Sequence, residues 1–243
     1  MINIKQLDSY DPDLCSSRLL DGIYKTMSYA QENNGVTLTK SGAFNRKFCT
    51  WAADNFNWPE YSTAELMRLN KVIDEIDIPP VETINDFLWA FKYGRYVKGK
   101  FQFFKKTHAL AQDKGSFFAK IATEYLFSFN HTRHHRSDFT PLVNWDVFLN
   151  VINVEVQNGA THDEILKTLY GYNPNNTQQE GYWQHSYFLM WNVLKPLSWI
   201  GFLEETYSDV ARIGNLPTYT KSALWRKSLR LDTDSQLKLR VVH

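Results

Sequence analysis

Residues 38–44 read "LTKSGAF", and close variants return as "FKKTHAL" at 104–110 and "YTKSALW" at 219–225. Each has a large apolar residue, a polar residue, Lys, and then Ser or Thr. Before the first copy, Val36, Leu38 and Lys40 alternate with Thr37 and Thr39, the period of a short strand. Ser41 follows as a helix N-cap. After it, Phe44, Phe48, Trp51 and Ala52 fall on one helical face. The phrase reads as a strand handing over to a capped helix, with Thr107 and Ser222 as the caps of the later copies.

Outward from these junctions the same order appears twice. "ETINDFLWAFKYG" carries Ile84, Leu88 and Phe91 on one stripe, and "RYVKGKFQFFKKT" turns at Gly99, where glycine accepts positive φ. "GYWQHSYFLMWNVLKPLSWIG" is helical until Pro196 bends or ends it, and "FLEETY" and "LPTYTK" are strands around a longer loop. Upstream, Leu20, Ile23, Tyr24 and Met27 mark an amphipathic helix that Asn33, Asn34 and Gly35 terminate. The expected fold class is mainly α with small β-hairpins (α+β). It consists of two winged-helix-like units bridged by a central amphipathic helix.

The first unit spans 1–112, with helices near 14–33, 44–55, 62–73 and 81–93 and a wing at 95–105. The bridge with its His/Arg loop spans 113–141, where Phe118, Ile121, Ala122, Tyr125 and Phe129 share a face. The second unit spans 142–243, with helices near 142–158, 162–170 and 182–198, a wing at 202–221 and a basic tail.

The stretches "GVTLTKSGAF", "YGRYVKGKFQFFKKTHAL" and "LKPLSWIGFLEETY…YTKSALWRKSL" resemble a diffuse group of uncharacterised bacterial tandem winged-helix-like proteins. In that group a helix leads to an LTxxG-type strand, and a KG-type hairpin precedes a helix with an apolar face. A "PLxWxGLxE" segment then begins a second wing. The resemblance covers roughly residues 14–230 and transfers no catalytic residue. Only the first copy keeps Gly after the cap; His108 and Ala223 stand at the other two.

Apolar residues make up 43% of the 243 and aromatics 15%, enough for a real core. No run of about 18 apolar residues exists, so no membrane span is expected. The start lacks a basic segment followed by an apolar one, so no secretory signal is expected. The two cysteines, Cys15 and Cys49, are too few for a disulfide framework, and a reducing, cytoplasmic setting follows. Nucleotide-binding glycine loops, the hydrolase serine elbow and the zinc-protease HExxH are all missing. No enzyme and no cofactor are therefore expected. Cys49, on an apolar helix face, reads as buried filler. His131, His134 and His135, with Asp138, offer imidazoles. They lack a second ligand pair at helical spacing and sit past a helix end, so no metal is assigned. Trp183, Tyr187, Trp191 and Trp199, like Phe87, Trp89, Phe91 and Tyr93, are expected in the core; any left exposed would be interface anchors.

The net charge of +1 hides an asymmetry: residues 142–210 hold 2 Lys/Arg against 8 Asp/Glu, and residues 211–243 hold 7 against 2. The first functional expectation is a DNA-binding regulator of duplex DNA. Its contacts would come from Lys98, Lys100, Lys105 and Lys106 of the first wing and from Lys221, Arg226, Lys227 and Arg230 of the tail. The alternative is a protein–protein interaction adapter or inhibitor, of bacterial or phage defence or counter-defence type. It would keep the scaffold without DNA binding, because the acidic second unit repels phosphate. The oligomeric state is left open.

Overall fold

A computed structural model describes residues 2–132, 144–173, 176–207 and 217–240. The described chain is α+β: many short helices with antiparallel sheets of two or three strands. It divides into Asp8–Tyr125 and a second unit that joins Met1–Leu7 to Leu126–His243. The second unit owns the first strand, β1 (Asn3–Ile4), which pairs antiparallel with Leu229 and Arg230.

The first unit begins with α1 (Arg18–Glu32), capped by Ser17, whose hydroxyl accepts from the Leu20 amide. β2 (Val36–Thr37), α2 (Arg46–Asn55), α3 (Thr63–Met67) and α4 (Pro79–Ala90) follow. Next come the hairpin β3 (Gly94–Val97) and β4 (Lys100–Phe103), then α5 (Lys105–Leu110) and α6 (Lys114–Phe127). The sheet order is β2-β4-β3, so the first strand lies beside the last. Leu19, Leu20, Ile23, Phe48, Ile84, Phe87, Leu88 and Phe101 are fully buried and form its core. Residues of α6 join them: Phe117 meets Tyr24 and Tyr93 edge-on, and Tyr125 meets Phe87. The bridging segment expected at 113–141 thus contributes its residues up to Tyr125 to the first unit, and 133–143 lie outside the described residues.

Two junctions differ from the sequence reading. The cap of α2 is Asn45, whose side chain accepts from the Phe48 amide, and not Ser41. A tight turn intervenes: Leu38 bridges to Phe44, and the Thr39 amide donates to the Ala43 carbonyl. Thr107 does not cap α5. It lies in that helix's first turn, buried, and its hydroxyl donates to the Tyr93 carbonyl at 2.7 Å. In the third copy Ser222 does cap its helix, accepting from the Trp225 amide at 3.0 Å. Its hydroxyl also donates to the Gly201 carbonyl at 2.7 Å. Thr107 and Ser222 therefore play matching parts, each tying the end of a hairpin back to its beginning. The first copy sits at a different place, after the first strand.

The hairpin turn takes positive φ at Lys98 (47°) and Gly99 (83°), the mirror-image turn whose twist suits two antiparallel strands. At the base of the hairpin, a Cβ on Gly94 would overlap the Gln102 carbonyl and the Phe101 ring. Gly94→Ala is therefore expected to lower stability by about 3 kcal/mol, since the overlapped atoms are backbone and a core aromatic. Thermal or denaturant unfolding reads this directly. An unchanged midpoint would mean that β3 and β4 do not lie this close.

The second unit repeats the order. α7 (Trp145–Glu155), β5 (Ala160–Thr161) and α8 (His162–Tyr170) lead to α9 (Tyr182–Leu189). The helical path continues through a π-helical stretch, Met190–Leu194, into α10 (Lys195–Trp199). Pro196 thus neither ends nor sharply breaks the run. It sits in the first turn of α10, and the preceding wide turn accommodates its ring and missing N–H. β6 (Leu203–Thr206) and β7 (Thr218–Lys221) form the hairpin, with sheet order β5-β7-β6. α11 (Ala223–Ser228) follows and ends earlier than expected, because β8 (Leu229–Arg230) is extended and pairs with β1. α12 (Asp234–Arg240) completes the described chain.

Candidate nucleic-acid interface

Residues 87–112 contain six Lys/Arg and no Asp or Glu. The first hairpin and its flanks carry them. Lys92, Arg95, Lys98, Lys105 and Lys106 are exposed, and none makes an ion pair with a described residue. Lys98 stands at the tip of the turn. Lys100 is half-buried and donates to the Asn33 carbonyl at 2.7 Å, which fixes β4 to the end of α1. Phe104 stands between two cations: the Arg95 guanidinium is 6.0 Å from its ring centroid and the Lys106 ammonium 5.4 Å. Tyr96, next to Arg95, is exposed. Arg95, Lys92 and Tyr96 are additions to the sequence-predicted set, although the acid-free run that holds them can be counted in the sequence.

α4, which precedes this hairpin, presents a different surface. Its Val81, Ile84, Phe87 and Leu88 are buried, and its half-exposed residues include Glu82 and Asp86. Asn85 is 4% exposed; its amide donates to the Gly42 carbonyl and to Glu75. The polar side chains of α4 are thus acidic or engaged inside the unit. Glu75 is itself buried. It accepts from the Phe44 amide at 2.9 Å and from Asn85 at 2.8 Å, and burial raises its pKa to about 7.

The four tail residues separate. Lys221 is a correction: it is 6% exposed, and its ammonium donates to the carbonyl and side-chain oxygens of Asn153 at 2.9 and 3.0 Å. Alternation along β7 turns it inward with Tyr219, where desolvation lowers its pKa. Arg230, in β8, is half-buried and donates to the Leu229 carbonyl and to the Arg226 carbonyl in the last turn of the preceding helix. Arg226 and Lys227 are exposed in the last turn of α11, where cations suit the helix dipole.

The comparisons with known proteins follow the same two-part division. The Y4jL N-terminal domain model matches residues 15–116, and the y4jL C-terminal domain model matches 135–223. The chain is 35% identical over 155 residues to "Uncharacterized protein y4jL" of Sinorhizobium fredii (strain NBRC 101917 / NGR234), covering 63% of this chain and 70% of that relative. The chain belongs to the y4jL family. The first y4jL domain falls inside the unit Asp8–Tyr125, and the second inside the unit that includes Leu126–His243. No solved structure matches the chain.

Other chemistry in this y4jL family member is limited. Cys49 is fully buried, and burial, with Glu75, Asp74 and Asp77 nearby, pushes its thiol up to about 12. It is no nucleophile at neutral pH. Of the His cluster, His131 packs its ring against Phe129 and Trp145, while His134, His135 and Asp138 lie outside the described residues. No group of three or more His, Cys, Asp or Glu among the described residues could hold a metal. No helix among the described residues is long and apolar enough to cross a membrane.

Proposed function

We propose that the chain is a non-enzymatic, cytoplasmic winged-helix regulator that binds duplex DNA through its phosphate backbone, using the wing of the first unit. One observation carries this reading: Arg95, Lys98, Lys105 and Lys106 stand exposed on an acid-free hairpin and its flank, without a carboxylate partner among the described residues. In each unit helices precede a hairpin and the first strand lies beside the last, an order that supports the winged-helix reading. In that scaffold a helix enters the major groove and flanking elements meet the backbone.

Here α4 has no cation to bring to a groove and presents Glu82 and Asp86 instead. The wing then binds by charge, with little reading of sequence. Lys105 and Lys106 also occupy the first turn of α5, where the helix dipole disfavours cations. Departures from a local rule concentrate at functional surfaces, which favours a role for this pair. Arg226 and Lys227 offer a smaller second patch, with Arg230 beside them.

A protein-interaction adapter or inhibitor on the same scaffold, without DNA binding, is the second reading. The acidic balance of residues 142–210 favours it. Duplex association of the chain with and without its wing cations separates the two.

A further inference from the structure

In the second unit, residues of α7, β7, α11, β8 and α12 line a cleft of about 880 Å³. Its cationic side chains are Lys221, Arg226 and Arg230. Trp225, Leu229 and Leu231, each at most 7% exposed, give it an apolar wall together with Leu237. A cleft of this size, with an apolar wall and a few polar groups, suits a small organic molecule.

These cations are not paired with carboxylates. Lys221 is buried, yet the acceptors of its ammonium, the carbonyl and side-chain oxygens of Asn153, are both neutral. An ammonium has three donors, so these two bonds leave one. A buried charge is ordinarily paired, because desolvating it alone is costly. Desolvation is the first cause of the lowered Lys221 pKa; Asp234 opposes the shift and Arg226 adds to it, so the two cations repel. Arg226 is exposed, and Arg230 donates to two backbone carbonyls. None of the three makes an ion pair with a described residue. Asp232 and Asp234 also line the cleft. Asp234 is engaged, accepting from the Asn153 side chain and the Leu231 amide, each at 3.0 Å. Asp232 is exposed, where water and salt screen its charge.

We propose that this cleft binds a small phosphate monoester with an apolar body, held by Lys221, Arg226 and Arg230. A phosphate group presents three acceptor oxygens and close to two negative charges. It therefore matches one ammonium and two guanidinium groups better than a carboxylate, which has two oxygens and a single charge. The apolar wall holds the rest of the molecule. The cleft lies in the second unit and uses none of the wing residues, so its test is independent of duplex binding by the wing.

The test titrates the full chain by calorimetry with naphthyl phosphate, naphthol and inorganic phosphate. Naphthyl phosphate is expected to bind on the order of 10-fold or more tighter than either of the others, since only it meets both the cations and the apolar wall. It should also raise the thermal midpoint as its concentration rises, because it binds the folded chain alone. Arg226→Ala should weaken its binding on the order of 10-fold, and Arg226→Glu should abolish it. Neither change should lower the midpoint of the unliganded chain, because Arg226 is exposed and makes no ion pair with a described residue. No binding of naphthyl phosphate, equal binding of all three compounds, or full binding by both Arg226 variants overturns the proposal. So does displacement of naphthyl phosphate by duplex DNA without terminal phosphates at moderate salt, which would make the cleft part of a backbone-binding surface.

Discussion

Replacing Arg95, Lys98, Lys105 and Lys106 together by Ala is expected to reduce association with duplex DNA on the order of 100-fold at low salt. The same variant should flatten the dependence of affinity on salt by nearly four units, because each neutralised phosphate contributes a slope of about 0.9. The four side chains are exposed and lack ion-pair partners among the described residues, so the fold should not suffer. Removing four mutually repelling cations should leave the unfolding midpoint unchanged or slightly raised. Loss of binding accompanied by loss of structure would not support the wing. Retained binding with the wild-type salt slope would remove the wing from the interface and advance the protein-adapter reading.

The second large effect concerns stability and pH. Glu75 is buried against the Phe44 amide and Asn85, and its pKa is raised to about 7, first by burial and then by Glu82 and Asp86. The folded state therefore holds the Glu75 proton more tightly than the unfolded chain, where the carboxyl titrates near 4.5. The resulting stabilisation is present in full below about 4.5 and is lost as pH rises through about 7. Above that, the unit carries a buried carboxylate. Asn85 offers a reason for the proton to stay: its buried Oδ1 has no hydrogen-bond partner, and a neutral carboxyl beside it could donate one.

Glu75→Gln keeps the acceptor and supplies a permanent donor. At pH 8 this variant is expected to exceed the wild type by about 3 kcal/mol, because each tenfold gain in proton affinity on folding is worth about 1.36 kcal/mol. Near pH 4.5 the two should be nearly equal. Denaturant unfolding at both pH values measures this, and a difference constant with pH would contradict the assignment.

Much of the architecture is legible in the sequence because periodicity and turn chemistry agree with the tertiary result. Leu20, Ile23 and Met27 mark α1 as they pack, and "VKGK" turns where its glycine stands. The third phrase is also legible, because the Ser222 hydroxyl and the Trp225 amide are local partners. The other two caps are not, for different reasons. At α2 the turn after Thr39 moves the helix start to Asn45, so the cap lies beyond the phrase. At α5 the hydroxyl serves a distant carbonyl, and the sequence does not show that Thr107 faces Tyr93, fourteen residues back. Lys221 departs from its expected place because a basic run looks continuous in one dimension, while strand alternation turns one member inward to Asn153.

Trp183 and Tyr187 belong to the core by residue type alone. Their helix carries aromatic residues on more than one side, with Gln184, His185 and Ser186 between them, so only tertiary packing decides which rings are exposed, here Trp183 at 66% and Tyr187 at 52%. The first hairpin is half legible: its lysines stand out in the sequence, but Arg95 and Lys106 meet at the Phe104 ring only when the hairpin closes.

The most direct measurement is the affinity of the wild-type chain for two duplexes of unrelated sequence, titrated from low to physiological salt. Binding through the wing predicts nearly equal affinities for the two and a logarithmic salt slope of about −4. A flat salt dependence, or no association with either duplex at low salt, would contradict phosphate binding by this chain.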